Sequence, residues 1–187
     1  MNSIKQIEVI YDNRLVGRLA LTKESLCAFE YSAEWLNSGF SISPFELPLR
    51  RGVFIAKPRP FEGGFGVFDD CLPDGWGLLI LDRYLQRNGV NPQTLSLLDR
   101  LALVGSTGRG ALEFRPDKSV VSKQEYADFE KLALEAEQIL DSDNYNGEGI
   151  EEFQYRGGSP GGARPKIFTR YDCLLYTSDA ADEARSV

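Results

Sequence analysis

The chain has no histidine, one methionine and only three cysteines among its 187 residues. Without histidine, neither a Ser-His-Asp nor a Cys-His nucleophile can be assembled from these residues. Cys27, Cys71 and Cys173 are odd in number and far apart, which argues against a disulfide framework and against a zinc site. We therefore expect buried or incidental thiols and no metal site.

The chain also lacks a long apolar run and an excess of basic residues. No stretch approaches the ~20 apolar residues of a membrane helix, and the first residues lack the apolar block of a signal peptide. We therefore expect a cytoplasmic protein without membrane contact. The net charge of -7 disfavours direct binding of nucleic acid, which requires a basic face. Proteins and nucleotides are the expected partners.

Residues 173–187 differ in character from the sequence before them. The segment begins Cys173-Leu174-Leu175-Tyr176 and ends in small and acidic residues, with no helix or strand pattern. It resembles the translation of a sequencing adaptor, so we expect an artefact of read-through; a genuine disordered tail is the alternative. We therefore assign no function to residues 173–187.

Apolar residues make up 42% of the chain, enough for a sizeable core, and their patterning predicts an α+β fold. β-rich runs at 7–11 and 15–21 flank the polar turn Asp12-Asn13-Arg14, which is typical of a hairpin. Further strands are predicted at 28–31 and 111–114. Between residues 35 and 60, four prolines around Val53-Phe54-Ile55 favour strand and loop over a long helix.

Three helices are predicted from start and stop signals. The first spans 74–88, with Pro73-Asp74 at its start and Asn88-Gly89 at its end. The second runs from Asn91-Pro92 to Gly105. The third follows the capping box Ser122-Lys123-Gln124-Glu125 and continues to residue 140 with apolar residues every three or four positions.

These elements predict a division of the chain into four parts. Residues 1–115 form a β-rich first domain with packed helices, and 116–149 form a connector helix and a polar linker. Residues 150–172 open a second domain, in which Glu152-Phe153-Gln154-Tyr155 is predicted to be a strand. Residues 173–187 are the suspect tail.

The second domain opens with a glycine-dense segment at 157–166, called here the glycine loop. Its sequence is Gly157-Gly158-Ser159-Pro160-Gly161-Gly162-Ala163-Arg164-Pro165-Lys166. Glycines let successive amides point into one concavity, and a lysine at its rim adds positive charge, which together suit a phosphate group. Lys166 is followed by an apolar pair rather than by serine or threonine, so the segment is not a Walker A motif. A strand on each side is the arrangement with which kinases cover ATP; a plain surface turn is the alternative.

Two other motifs receive structural interpretations. The segment Gly105-Ser106-Thr107-Gly108-Arg109-Gly110 lies between a helix end and a strand, where a cap and a tight turn explain its glycines. Asp69-Asp70 beside a turn is explained by solvation or helix capping, so no metal is assigned to it.

Three segments in series resemble the HipA-like serine/threonine kinases, the toxins of bacterial toxin–antitoxin pairs. The first combines 43–49 with 68–77, from Ser43-Pro44-Phe45 to Gly75-Trp76-Gly77. The second is 97–114, which contains Gly105-Ser106-Thr107-Gly108-Arg109-Gly110, and the third is 158–166 within the glycine loop. Together they extend over most of residues 1–170.

The resemblance implies an ATP-dependent protein kinase in which residues 150–172 begin the ATP-binding lobe. It places the triphosphate on Lys166 and the backbone from Gly161 through Gly162 and Ala163 to Arg164. It also places Ser159 among the nucleotide-binding residues and makes it a regulatory phosphosite that switches activity off. The catalytic aspartate and the Mg²⁺ ligands are expected past residue 172, so the fragment itself is expected to be inactive.

The resemblance also implies partners: a protein substrate, for which an aminoacyl-tRNA synthetase is the family analogy, and a helix-turn-helix antitoxin that makes the DNA contacts. A non-catalytic module that docks a kinase or an antitoxin is the alternative function. Continuation of the gene past residue 172 into catalytic motifs would favour the kinase, and a stop codon there would favour the module.

Overall fold

The computed structural model describes residues 4–108, 110–120, 128–141, 149–157 and 162–167. Five strands pair antiparallel in one sheet, in the spatial order fourth, third, second, first, fifth. They are β1 (Gln6–Tyr11), β2 (Arg14–Leu21), β3 (Cys27–Tyr31), β4 (Val53–Ile55) and β5 (Leu112–Arg115). The predicted α+β class and the predicted strands of the first domain are confirmed.

The first two strands form the predicted hairpin. Asp12 and Asn13 both have positive φ, 46° and 59°, and Tyr11 pairs with Arg14 across them. Two left-handed residues match the twist of a tight hairpin, and aspartate and asparagine tolerate that conformation.

One face of the sheet is charged and the other forms the core. The charged face carries a row of cross-strand neighbours in which opposite charges alternate: Arg115, Glu8, Arg18 and Glu30. Arg18 and Glu8 form an ion pair of 3.2 Å. The side chains of the opposite face are fully buried; among them are Ile7, Val9, Leu19, Phe29 and Phe114.

Six helices accompany the sheet in the described residues. They are α1 (Ala33–Ser38), α2 (Gly66–Asp69), α3 (Gly75–Arg87), α4 (Leu97–Val104), α5 (Phe129–Asp141) and α6 (Gly149–Gly157). The predicted helix over 74–88 is confirmed as α3, with Asp74 at its N-cap position and Gly89 at φ 71° beyond its end. The third predicted helix, which follows the capping box and continues to residue 140, corresponds to α5. Its predicted capping box at 122–125 lies outside the described residues.

Two predictions in the first domain were wrong in part. Residues 35–60 are strand and loop, as predicted, except that the first few belong to the short helix α1. This helix begins after Ser32, whose hydroxyl oxygen accepts a hydrogen bond from the Trp35 amide at 3.0 Å. The second predicted helix begins at Leu97 rather than at Pro92. Pro92–Thr94 form a separate 3-10 turn, and Ser96 then caps α4 together with Asp99.

The main core lies between the sheet and α1, α2 and α4. Phe68 of α2 is fully buried, and its ring is 5.5 Å from Phe29 and 6.3 Å from Phe114 between centroids. Edge contacts of this kind add to the stabilisation from burial. Cys27 and Cys71 are buried, as predicted. Burial raises the pKa of the Cys27 thiol to about 11. Within the described ranges, no helix is long and apolar enough to cross a membrane.

A second core lies where α3 packs against α5 and α6. Its buried residues are Trp76 and Ile80 of α3, Leu132, Ala136 and Ile139 of α5, and Ile150 and Phe153 of α6. The opposite side of α3 packs on α4 through Leu81, Leu85 and Leu103. α3 therefore joins the helices after residue 128 to the first domain.

Candidate phosphate-binding loop

The glycine loop directly follows a helix. Residues 149–157 form α6, so the predicted strand at 152–155 was wrong. Ile150 and Phe153 are buried three positions apart, which suits one face of a helix. The strand that was expected before the glycine loop is therefore replaced by a helix.

The second core determines where the loop starts. The ring of Phe153 meets Trp76 edge-on, with centroids 5.5 Å apart and planes at 88°. The buried Arg83 of α3 donates a hydrogen bond to the carbonyl of Ile139 near the end of α5. The ring contact holds α6, and with it the first residue of the loop, against α3, and the Arg83 hydrogen bond holds α5 against the same helix.

The structure describes the second half of the glycine loop, from Gly162 onward. Ser159 and Gly161 lie outside the described residues, so their proposed roles stay predictions. Ala163 and Arg164 are exposed, and Lys166 is half-buried. Ile167 packs partly buried against the second core.

Both polar groups of the Gly162 residue are hydrogen-bonded to the start of α3. The Gly162 amide donates to Oδ1 of Asp74 at 2.9 Å, and the Gly162 carbonyl accepts from the Trp76 amide at 2.9 Å. We call this pair of hydrogen bonds the Gly162 anchor. It leaves the Gly162 amide engaged by a protein carboxylate rather than free for a phosphate.

Two glycines make this close approach sterically feasible. A Cβ on Gly75 would lie 2.6 Å from the carbonyl carbon and oxygen of Gly162, a distance that real Cβ atoms do not reach. Gly75 also has a φ of +46°, and Gly162 has a φ of +95°. Positive φ at both positions favours glycine independently of the space.

The ammonium of Lys166 lies over Gly162. A Cβ on Gly162 would be 2.9 Å from Nζ of Lys166. The positive charge is therefore directed toward the loop, as the phosphate hypothesis requires. In the described half of the loop, the Lys166 ammonium therefore lies beside Gly162, and Ala163 and Arg164 are exposed.

The other candidate motifs have structural roles. Gly105 ends α4 with φ +52°, as predicted, and Asp117 lies against it. Asp117 accepts hydrogen bonds from the amide and hydroxyl of Ser106, at 3.1 and 2.6 Å, and from the Ser119 amide at 2.8 Å. Desolvation alone would raise the pKa of Asp117, but these hydrogen bonds outweigh it and lower the pKa below its ordinary value.

The acidic pair Asp69-Asp70 lies at the end of α2, with Asp70 at its C-cap position. Desolvation, together with the charges of Asp70 and Glu62, raises the pKa of Asp69. Among the residues that the structure describes, no group of three or more metal-ligating side chains is found. An open depression of about 540 Å³ lies beside this pair; its lining residues are Val67, Asp70, Cys71, Gly110, Ala111 and Leu112.

Sequence reasoning missed the partner of Asp74. The position was assigned correctly as the N-cap of α3, yet its side chain makes no capping hydrogen bond to that helix. It binds Gly162 instead, 88 residues further along the chain. A turn motif such as Pro73-Asp74-Gly75 contains no signal for a contact at that separation.

A protein-family model matches the N-terminal part of the chain. The family model of the HipA N-terminal domain matches residues 7–115, more than half of the chain. The matched region contains α3 and the whole sheet except Gln6, and it ends before the glycine loop. The curated proteins contain no match to this chain.

A solved structure from Shewanella oneidensis MR-1 is also similar. It is described as a toxin–antitoxin system complex of HipA, HipB and its operator DNA, and the match has a TM-score of 0.47 and 19% sequence identity. The match covers 76% of this chain and 32% of that chain. The present chain therefore spans about a third of the solved protein it matches.

Proposed function

The chain belongs to the HipA N-terminal domain family, and we propose that it is the N-terminal part of a protein serine/threonine kinase. The match of the family model over 7–115 is the observation that carries this proposal. The glycine loop beyond the match supports it, because the Lys166 ammonium lies beside Gly162 in that loop.

In this proposal, ATP supplies the γ-phosphoryl group, which passes to a serine or threonine hydroxyl of a protein with assistance from Mg²⁺. Lys166 and Arg164 offset the negative charge of the phosphates, and main-chain amides from Gly161 onward orient them. Gly162 contributes by fixing the loop on α3 rather than by donating its amide. The catalytic and Mg²⁺-binding residues are expected past residue 172.

Ser159 is the proposed regulatory site. A phosphate on this hydroxyl would add about two negative charges beside the position of the ATP phosphates. Like-charge repulsion would then oppose ATP binding, which makes autophosphorylation a means of switching activity off.

The proposed partners follow from family membership. They are a protein substrate, with an aminoacyl-tRNA synthetase as the family analogy, and a helix-turn-helix antitoxin that contacts the DNA. The proposed compartment is the cytoplasm. The net charge of -7 agrees with leaving the DNA contacts to the antitoxin.

Phosphoryl transfer by the full-length gene product tests the function. The purified product is incubated with radiolabelled ATP and Mg²⁺, and the labelled residue is located by mass spectrometry. We expect label on Ser159, loss of that label in Ser159→Ala, and slower labelling in Lys166→Ala. Ser38→Ala, at an exposed position at the end of α1, is the matched control and should label normally.

The outcomes separate the parts of the proposal. No label on any residue of the unsubstituted product would refute the kinase. Label that persists in Ser159→Ala would refute the role of Ser159 while leaving the kinase in place.

A binding module is the second candidate, and exposed apolar side chains favour it. Phe45 is 100% exposed, and Val53 and Ile55 of the edge strand β4 are 58% and 61% exposed. A partner that covers these side chains would gain apolar burial. Val53→Lys should then weaken antitoxin capture, whereas Leu134→Lys on α5, 62% exposed in the parent chain, should leave it unchanged.

A further inference from the structure

The Gly162 anchor has geometric features that helix capping does not explain. An aspartate at an N-cap usually accepts an amide of its own helix, but Asp74 makes no such bond. Its carboxylate accepts the Gly162 amide at 2.9 Å instead. The side chain therefore acts on the glycine loop rather than on α3.

The second hydrogen bond fixes the direction of the Gly162 backbone. The Trp76 amide belongs to the first turn of α3, where amides lack a partner within the helix, and it donates to the Gly162 carbonyl at 2.9 Å. With one bond to the amide and one to the carbonyl, the orientation of Gly162 relative to α3 is set. Trp76 itself is fully buried against Phe153, so the α3 end of the anchor is rigid.

Gly75 determines how close the loop can come. Its missing Cβ leaves the space that the Gly162 carbonyl group occupies at 2.6 Å from the ideal Cβ position. Any other residue at 75 would push Gly162 away from α3. Gly89, after the other end of the same helix, also has positive φ, 71°, but a Cβ there would meet no atom within 4 Å.

The anchor joins the matched family domain to the proposed phosphate site. Asp74 and Gly75 lie within residues 7–115, whereas Gly162 and Lys166 lie beyond them. The Lys166 ammonium lies over the same Gly162 that Asp74 holds. Displacement of Gly162 would therefore change the distance between the loop backbone and this ammonium.

We propose that Asp74 and Gly75 are positioning residues that hold the described half of the glycine loop, from Gly162 to Lys166, in the conformation that receives the phosphates of ATP. The proposal rests on the proposed function and deepens it. It assigns to the N-terminal domain a direct part in forming the ATP site, and it makes Gly162 an attachment point rather than a phosphate ligand.

The first experiment measures the anchor alone, in the present chain without nucleotide. Amide hydrogen exchange of Gly162 is followed by NMR in a glycine-labelled sample. We expect Asp74→Ala and Gly75→Ala to accelerate exchange at Gly162 by about fivefold or more, since a hydrogen bond to a charged acceptor is lost or stretched. Asp74→Asn, which keeps an acceptor oxygen, should retain more protection, and Gly89→Ala should leave Gly162 unchanged.

The second experiment measures the consequence for ATP, in the full-length gene product. Asp74→Ala should raise KM for ATP by about tenfold with kcat little changed, because a positioning defect removes ground-state binding. Asp74→Asn should recover part of that loss, and Gly89→Ala should match the parent. A general loss of stability would instead lower kcat in all of these variants together with the melting temperature.

The two experiments test the anchor, the positioning role and the proposed function separately. An unchanged exchange rate of the Gly162 amide in Asp74→Ala would overturn the anchor. The comparison of Asp74→Ala with the parent chain is sufficient for this test even if Gly75→Ala does not fold. Faster exchange with an unaltered KM for ATP would overturn the positioning role. Absence of phosphoryl transfer in the unsubstituted product would overturn the proposed function and this proposal with it, while the exchange rates would still report on the anchor.

Discussion

The amide of Gly162 donates a hydrogen bond to the carboxylate of Asp74, across 88 residues and at 2.9 Å. Asp74 lies in the matched HipA N-terminal domain and Gly162 lies beyond its end. The carbonyl of Gly162 is bonded in turn to Trp76. The start of α3, within the matched region, therefore holds Gly162 of the glycine loop through both its amide and its carbonyl.

The packing of α6 on α3 should contribute strongly to stability. Phe153 is 2% exposed and its ring packs on Trp76, so Phe153→Ala should lower the free energy of unfolding by about 3 kcal/mol through lost burial and a residual cavity. Tyr155→Ala, on the same helix but 38% exposed, should cost about 0.5 kcal/mol or less. Urea unfolding of both variants measures this. Equal losses would contradict the helical packing of residues 149–157.

The buried carboxylate of Asp99 connects the chain's start to α4. It accepts hydrogen bonds from the Ile4 amide at 3.0 Å and from the hydroxyl of Ser96 at 2.6 Å. Asp99→Ala should therefore lower the free energy of unfolding by about 2 kcal/mol.

A double-mutant cycle checks the origin of that loss. Ser96→Ala removes the other half of the capping box, so the double variant should lose less than the sum of the two single variants. Chemical denaturation measures all four proteins. Additivity within about 0.3 kcal/mol would show that the two side chains do not act together.

Asp117 should make stability depend on pH in the acidic range. Its pKa is lower in the folded protein than the ordinary value of about 3.9, so its ionised form stabilises the fold above that pH. This contribution is lost as the pH falls through the folded-state pKa. Asp117→Asn should lower the melting temperature at pH 7, and the difference from the parent chain should shrink below pH ~4.

Thermal melts from about pH 3 to pH 7 test this dependence. Glu137→Gln, at an exposed position of α5, is the matched control and should produce no comparable pH-dependent difference. A melting difference for Asp117→Asn that stays constant with pH would contradict a role for the charge of Asp117.

Elements governed by local chemistry were predicted correctly from the sequence. The hairpin of β1 and β2 follows from Asp12-Asn13, which tolerate positive φ, and α3 follows from a Pro-Asp start and an Asn-Gly end. The start of α4 was misplaced because two start signals, Asn91-Pro92 and Ser96 with Asp99, lie five residues apart. Asn91-Pro92 begins the 3-10 turn, and Ser96 with Asp99 begins the helix.

The secondary structure of residues 152–155 is not determined by their own sequence pattern. Glu-Phe-Gln-Tyr alternates polar and apolar residues like a strand, yet Ile150 and Phe153 also have helical spacing. The choice is made by Trp76 of α3, which lies far away in the chain, and by Ile139 of the preceding helix α5; together they offer a surface that a helix buries. Four residues cannot distinguish the two periods by themselves.

The sequence by itself determined the α+β class, the hairpin, α3 and the family, because turn residues, caps and apolar periodicity act over a few neighbouring positions. Tertiary structure alone decided that 149–157 is helical and that Asp74 holds Gly162. Both depend on contacts between residues distant in the chain, and the close approach of Gly75 to Gly162 becomes evident only when α3 and the glycine loop are brought together.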